Sequence, residues 1–164
     1  MRNITATLCG LTLSAWAIVP AIAAEGDSVI NFGGLAVGNV TTLTPSHLFW
    51  TGTFSGAVFD EAHGPFDHAF VTCPGTNDLD FGAGTGLLSG HCLISDGADS
   101  AIVATFTCAG APGICEDGTA TWHDGSGKWQ GWTAVAKWRA QLGKALENGS
   151  VPFYAIWTVH YTTP

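Results

Sequence analysis

Histidine is the residue type best suited to proton chemistry near neutral pH, and this chain carries six: His47, His63, His68, His91, His123 and His160. Two of them fall in DEAHGPFDH, Asp60 to His68, beside three acids. Imidazole and carboxylate at that density offer ligands to zinc, copper or nickel. No periodic element fixes ligand geometry there, so a solvated Gly-Pro loop is the expectation. His68 is expected to open a strand and to pair with Asp67 or Asp60. His91 lies inside the apolar run Gly86–Ser95 and shares a face with Leu87, Ser89, Leu93 and Ser95. It is expected to point into an interior, as a ligand contact, a proton donor or a hydrogen-bonded wall residue. Asp78-Leu79-Asp80 and Asp96 with Asp99 read as acidic turns, because the terminal Glu of a calcium loop is missing. No G-x-S-x-G occurs. The pattern assigns no catalytic residue, no metal and no cofactor.

Aromatic residues are the second resource. Trp50, Trp122, Trp129, Trp132, Trp138 and Trp157 follow the first two dozen residues. Large rings fill the core of a small protein, and in a cleft they stack on flat ligands. Trp157 is the aromatic candidate for a ligand site, with His68 and His91 as its polar companions.

The string GTATWHDGSGKWQGW, Gly118 to Trp132, contains GSGK, which invites comparison with a phosphate-binding loop. That loop needs G-x-x-x-x-G-K-[ST]. Here Trp122 stands at the first glycine position, Trp129 stands where the hydroxyl belongs, and Asp124 would repel phosphate. A hairpin fits better: a strand Thr119–His123, a turn Asp124–Gly127, and a return beginning at Lys128.

Residues 1–24 have the order of a secretory signal peptide: Arg2, an apolar run, Pro20, and a small-residue cleavage site at Ala21–Ala24. The expectation is a periplasmic or secreted chain of residues 25–164 without a membrane anchor. Thirteen acidic residues face five basic ones, a net charge of −8. Such a surface repels nucleic acid. Four cysteines follow the leader: Cys73, Cys92, Cys108 and Cys115. In an exported chain they read as two disulfides. Cys108–Cys115 with Cys73–Cys92 is favoured, because AGAPGI can turn back. Cys92–Cys108 with Cys73–Cys115 stays open.

The elements that must position these residues are strands. Gly, Thr, Val, Phe and Trp are abundant, and Lys and Glu are scarce. Runs at Leu48–Phe59, Ala69–Cys73, Gly86–Ser95, Ala101–Cys108, Thr119–His123 and Phe153–Thr162 alternate with turn clusters that include PGTNDLDFGAG and SDGADS. Strand and turn at this spacing predict one all-β domain, a small closed or nearly closed antiparallel β-barrel. In the last run, Phe153, Ala155, Trp157, Val159 and Tyr161 share a face that must be buried. VAKWRAQLGKALE, 135–147, fits a helical period with Val135, Trp138, Leu142 and Leu146. It also fits a strand, preferred from Trp132 to about Arg139.

Three stretches carry a resemblance: Gly118–Trp132, His68–Gly75, and Gly90-His91-Cys92 followed by Ser95-Asp96-Gly97. They resemble exported bacterial proteins with an allene oxide cyclase-like, calycin-like barrel. The resemblance implies about eight antiparallel strands around space for one small apolar ligand. In the plant cyclases that space folds an unsaturated epoxide, and dirigent proteins orient radicals on a similar barrel. Both plant groups form trimers, so an oligomer is possible. No plant catalytic residue maps onto a position here. The first expectation for function is therefore binding of a small, partly apolar or aromatic molecule. The alternatives are a cyclase or isomerase whose cavity uses a His proton donor, and an extracellular protein-interaction module.

Overall fold

The computed structural model describes residues 23–164; the expected leader lies outside them apart from its last two residues. Eight strands follow one another: β1 Glu25–Thr44, β2 His47–Asp60, β3 Phe70–Asp80, β4 Thr85–Ser95, β5 Ala101–Gly110, β6 Ile114–His123, β7 Thr133–Leu142 and β8 Val151–Thr162. Each pairs antiparallel with the next, and β8 returns to β1 to close the barrel. The predicted all-β barrel is therefore the fold. Closure removes the edges that an open sheet of this composition would expose.

Alternation along the strands decides what fills the interior. Ile30, Phe32 and Ala36 on β1 point inward with Phe54 and Val58 on β2, Val71 and Cys73 on β3, and Cys92 and Ile94 on β4. Across the barrel, Ala104 and Phe106, Ala120 and Trp122, Ala134, Ala136 and Trp138, and Ala155, Trp157 and Val159 complete the core. The small alanines of β5 to β8 leave room for the indoles beside them. The aromatic face expected for β8 is the inward one. The segment 135–147 is no helix: Thr133–Leu142 forms β7, whose inward Ala134, Ala136 and Trp138 are buried.

Two connections plug one end. The loop after β2 sends Phe66 into the barrel, where it is fully buried. Its ring meets Trp122 at 4.8 Å, Tyr161 at 5.6 Å and Trp129 at 5.9 Å. His63 and His68 flank this descent with left-handed φ of 51° and 60°, a conformation that His tolerates better than β-branched residues do. The connection between β6 and β7 supplies the second plug residue. GSGK begins no return strand: Gly127–Trp129 is a 3-10 turn that buries Trp129 completely. Trp132 then stacks on Tyr161, with ring centroids 5.2 Å apart.

Two stretches differ from expectation. PGTNDLD is strand, not separator, because β3 continues to Asp80 in register with β2. Pro74 sits opposite Thr53 there. β1, the longest strand, was not foreseen. Its glycines break the apolar pattern, yet Gly34 faces Gly56 and Gly38 faces Gly52 across the β1–β2 ladder. A Cβ on Gly34 would collide with the Ser55 backbone. The pair allows a close approach that larger residues would prevent.

The favoured disulfide pairing is present. Cys73–Cys92 joins β3 to β4, and Cys108–Cys115 joins β5 to β6.

Candidate functional site

The end opposite the plug is open. Between the β3–β4, β5–β6 and β7–β8 hairpins lies a cavity floored by Trp138 and Trp157, whose rings stack at 5.7 Å. Phe32, Phe54, Phe106 and Phe153 form its walls, and both disulfides contribute to the lining. Phe153 meets Phe32 edge-on at 4.8 Å and Phe54 at 5.2 Å. The exposed rim residues Ala111 and Ile114 belong to the β5–β6 hairpin.

The cavity measures about 50 Å³ of space open to the centre of a water. One water needs roughly 10–15 Å³ on that measure and about 30 Å³ as liquid. The space thus holds about four waters, and is about a third of the ~150 Å³ in which benzene binds an engineered apolar cavity. The enclosed space is therefore smaller than a ring, and a ligand ring would extend into the mouth.

The lining is almost free of polarity. Besides the indoles, Asn77 is its one polar side chain. The Nε1 groups of Trp138 and Trp157 are buried without an acceptor. No Asp, Glu, His, Lys or Arg lines the cavity.

The three sequence candidates therefore separate. Trp157 belongs to the cavity floor. His91 points outward, the reverse of the expected interior position: on β4 the even residues Cys92 and Ile94 face in, which turns His91 and exposed Leu93 out. His68 is also outside. It precedes β3 in the plug loop, is 76% exposed, and sits 3.3 Å from the Asp67 carboxylate, edge-on to outward Phe59. The cavity residues that sequence reasoning missed are Asn77, in a stretch read as a turn, and the phenylalanines of β1 and β2. The two-residue period of Phe32 with Ile30, and of Phe54 with Val58, carried the signal for them.

The outer wall holds the histidine chemistry. His123 Nδ1 lies 2.7 Å from the Asp124 carboxylate, and its Nε2 lies 3.2 Å from Thr105 Oγ1. His91 Nδ1 reaches the same hydroxyl at 3.2 Å. If Asp124 accepts the Nδ1–H, Thr105 donates to His123 and accepts from His91. The arrangement is a solvent-facing relay across β4, β5 and β6, on the outer side of the barrel wall. In the plug loop, His63 Nδ1 bonds Asp67 at 2.8 Å. That bond raises the pKa of His63 and lowers that of Asp67. Asp60 is buried and accepts from Ser28 Oγ at 2.8 Å. Among the described residues no three His, Cys, Asp or Glu side chains are grouped as a metal site.

No protein-family model and no curated protein matches this chain. Among solved structures, that of a pterocarpan synthase dirigent protein is similar, with a TM-score of 0.40 and 8% sequence identity over 88% of this chain and 97% of that one.

Proposed function

We propose that this protein is an exported binding barrel that takes one small, flat, largely apolar molecule into its open end. The observation that carries the reading is the cavity itself: six aromatic side chains in its floor and walls, one amide, and an open mouth. The ligand enters ring first, stacks near Trp138 and Trp157, and presents a polar atom to Asn77. Burial of a ring gains roughly 25 cal/mol for each Å² of apolar surface removed from water. Two disulfides fit an oxidising compartment, and no helix among the described residues is long and apolar enough to cross a membrane. Periplasmic or secreted location and kinship with allene oxide cyclase-like barrels belong to the same proposal.

The cyclase or isomerase alternative loses its stated mechanism. Both His68 and His91 lie outside the barrel, and the lining carries no ionisable side chain to move a proton. Binding is the simpler use of such a site.

The test is calorimetry with a panel of single-ring compounds, benzyl alcohol and benzaldehyde against toluene, on the native protein and two variants. Ala155→Phe fills the cavity and should abolish binding of every member. Asn77→Leu should weaken the oxygenated compounds by about tenfold, the scale of one hydrogen bond, and leave toluene unchanged or tighter. Binding that survives Ala155→Phe in a folded barrel, or no binding by any member, would overturn the proposal. Native mass spectrometry of protein from its own host would identify the ligand carried there.

A further inference from the structure

The barrel closes along only part of β1. Its ladder with β8 ends at Ala36, opposite Val151. Its ladder with β2 continues through Val37, Gly38, Asn39, Val40, Thr41 and Thr42 to Thr44, with a bulge at Leu43. Residues Val37–Thr44 therefore form a ribbon with β2 beyond the rim, and one side of that ribbon has no neighbouring strand. Every second residue there turns its backbone N–H and C=O to the open side.

Proteins usually protect such edges with Lys, Pro or an inward charge. This edge has none of them. VGNVTTLT is uncharged, and no Asp, Glu, Lys or Arg occurs from Ser28 to Phe59, in a chain whose net charge is −8. Val37, Val40 and Leu43 are 61, 60 and 53% exposed. Their spacing is symmetric about Val40. In an antiparallel pair of identical strands, opposite residues must share a face, so the register must be centred on a residue. Centring on Val40 sets Val40 against its own copy and Val37 against Leu43 of the second chain. Asn39 then meets Thr41. Val40 thus meets an apolar partner, and Val37 lies across from Leu43, where the bulge breaks the regular alternation.

We propose that this segment pairs with the same segment of a second copy, antiparallel about a two-fold axis at Val40, and joins two barrels into one continuous sheet. The symmetry of the segment about Val40, not charge, is what points to a second copy. Two chains of net charge −8 repel, and the long uncharged β1–β2 ribbon is where they meet with least repulsion. A two-fold pair is self-limiting, because each edge is consumed by the other. The contact is small by the standards of stable dimers, so the dimer is dissociable.

Sedimentation velocity of the native protein from micromolar to millimolar concentration should show a monomer–dimer equilibrium. Val40→Lys sets two ammonium groups against each other at the axis and should give a monomer throughout, with an unchanged near-ultraviolet tryptophan spectrum. Cysteine substitutions read the register. Val40→Cys alone should oxidise to a covalent dimer. Val37→Cys alone should not, and Val37→Cys with Leu43→Cys should. A strict monomer at all concentrations, a Val40→Lys variant that still dimerises, or cross-linking by Val37→Cys alone would each overturn the proposal. Association with a different protein through this edge, without self-association, would also overturn it.

Discussion

At the scale of single residues, Phe66 shows how much one side chain contributes to closing the barrel. It descends from a nine-residue polar loop, Asp60 to His68, and touches four aromatic rings. Phe66→Ala should destabilise by about 3–5 kcal/mol, as large-to-small core changes do when the surroundings cannot collapse. The rigid indoles of Trp122 and Trp129 oppose collapse here. Denaturant unfolding followed by tryptophan fluorescence measures the loss, and a cost below about 1 kcal/mol would show that the plug is not packed as described. The sequence did not reveal this residue. DEAHGPFDH reads as polar and solvated, but Asp60 and Phe66 are buried, while Glu61–His63 and His68 are exposed. A lone aromatic in a polar loop has no period to reveal its direction. His91 illustrates the opposite error. Its strand was legible, but its face was not, because Leu87 and Leu93 on that face suggest burial although each is 49% exposed. Leu88, Cys92 and Ile94 give the inward face, and a reading of the strand by its cysteine would have found it.

At the scale of elements, most strands were readable because β-branched and aromatic residues alternate with Gly, Pro and Asp turns. β2, β4, β5 and β8 match their predicted spans within three residues. β1 failed for a tertiary reason. Its glycines look like breakers in isolation, whereas in the barrel they lie opposite glycines of β2. Local propensity cannot reveal a cross-strand vacancy. The consequence is testable. Gly34→Ala introduces a Cβ against the backbone of Ser55, which cannot swing aside as a side chain can. The expected cost is about 1–3 kcal/mol, the range for overpacking, although alanine normally stabilises the chain relative to glycine by restricting the unfolded state. Gly33 has open space at its Cβ, and Gly33→Ala should be neutral or slightly stabilising. Thermal melts of the two variants therefore differ in sign for adjacent residues of one strand. Equal effects would remove the close-approach account.

At the scale of the whole molecule, titration shows what the acidic surface and its few partners do together. Asp96 accepts from the Ala98 and Ser100 amides, and Lys128 stands 3.4 Å away. The Ala98 amide foremost, with Ser100, lowers its pKa to about 2. Asp67 is lowered by its bond to His63. A depressed carboxylate stabilises the fold above its unfolded pKa of 3.8 and loses that contribution as pH falls through the folded value. The histidines act in the other direction. His160 bonds Asp27 at 2.9 Å across the β8–β1 seam, and its pKa is raised by that bond, as that of His63 is by Asp67. A raised histidine contributes fully below its unfolded pKa of 6.5 and loses the contribution as pH rises through the folded value. Deprotonation also increases the negative self-repulsion of a chain already at −8. Both families therefore favour the same interval, above pH 3.8 and below 6.5, and stability should peak there and decline on either side. Each pair has at least one solvent-exposed partner and is screened, so the limbs are shallow. Urea unfolding at a series of pH values measures the profile. Asp96→Asn should flatten the acid limb and spare the other. Asp27→Asn should flatten the alkaline limb, because His160 then loses the partner that holds its proton. A profile rising steadily from pH 5 to 8 would contradict the assigned pairs, since it requires histidines that are more basic in the unfolded chain than in the folded one.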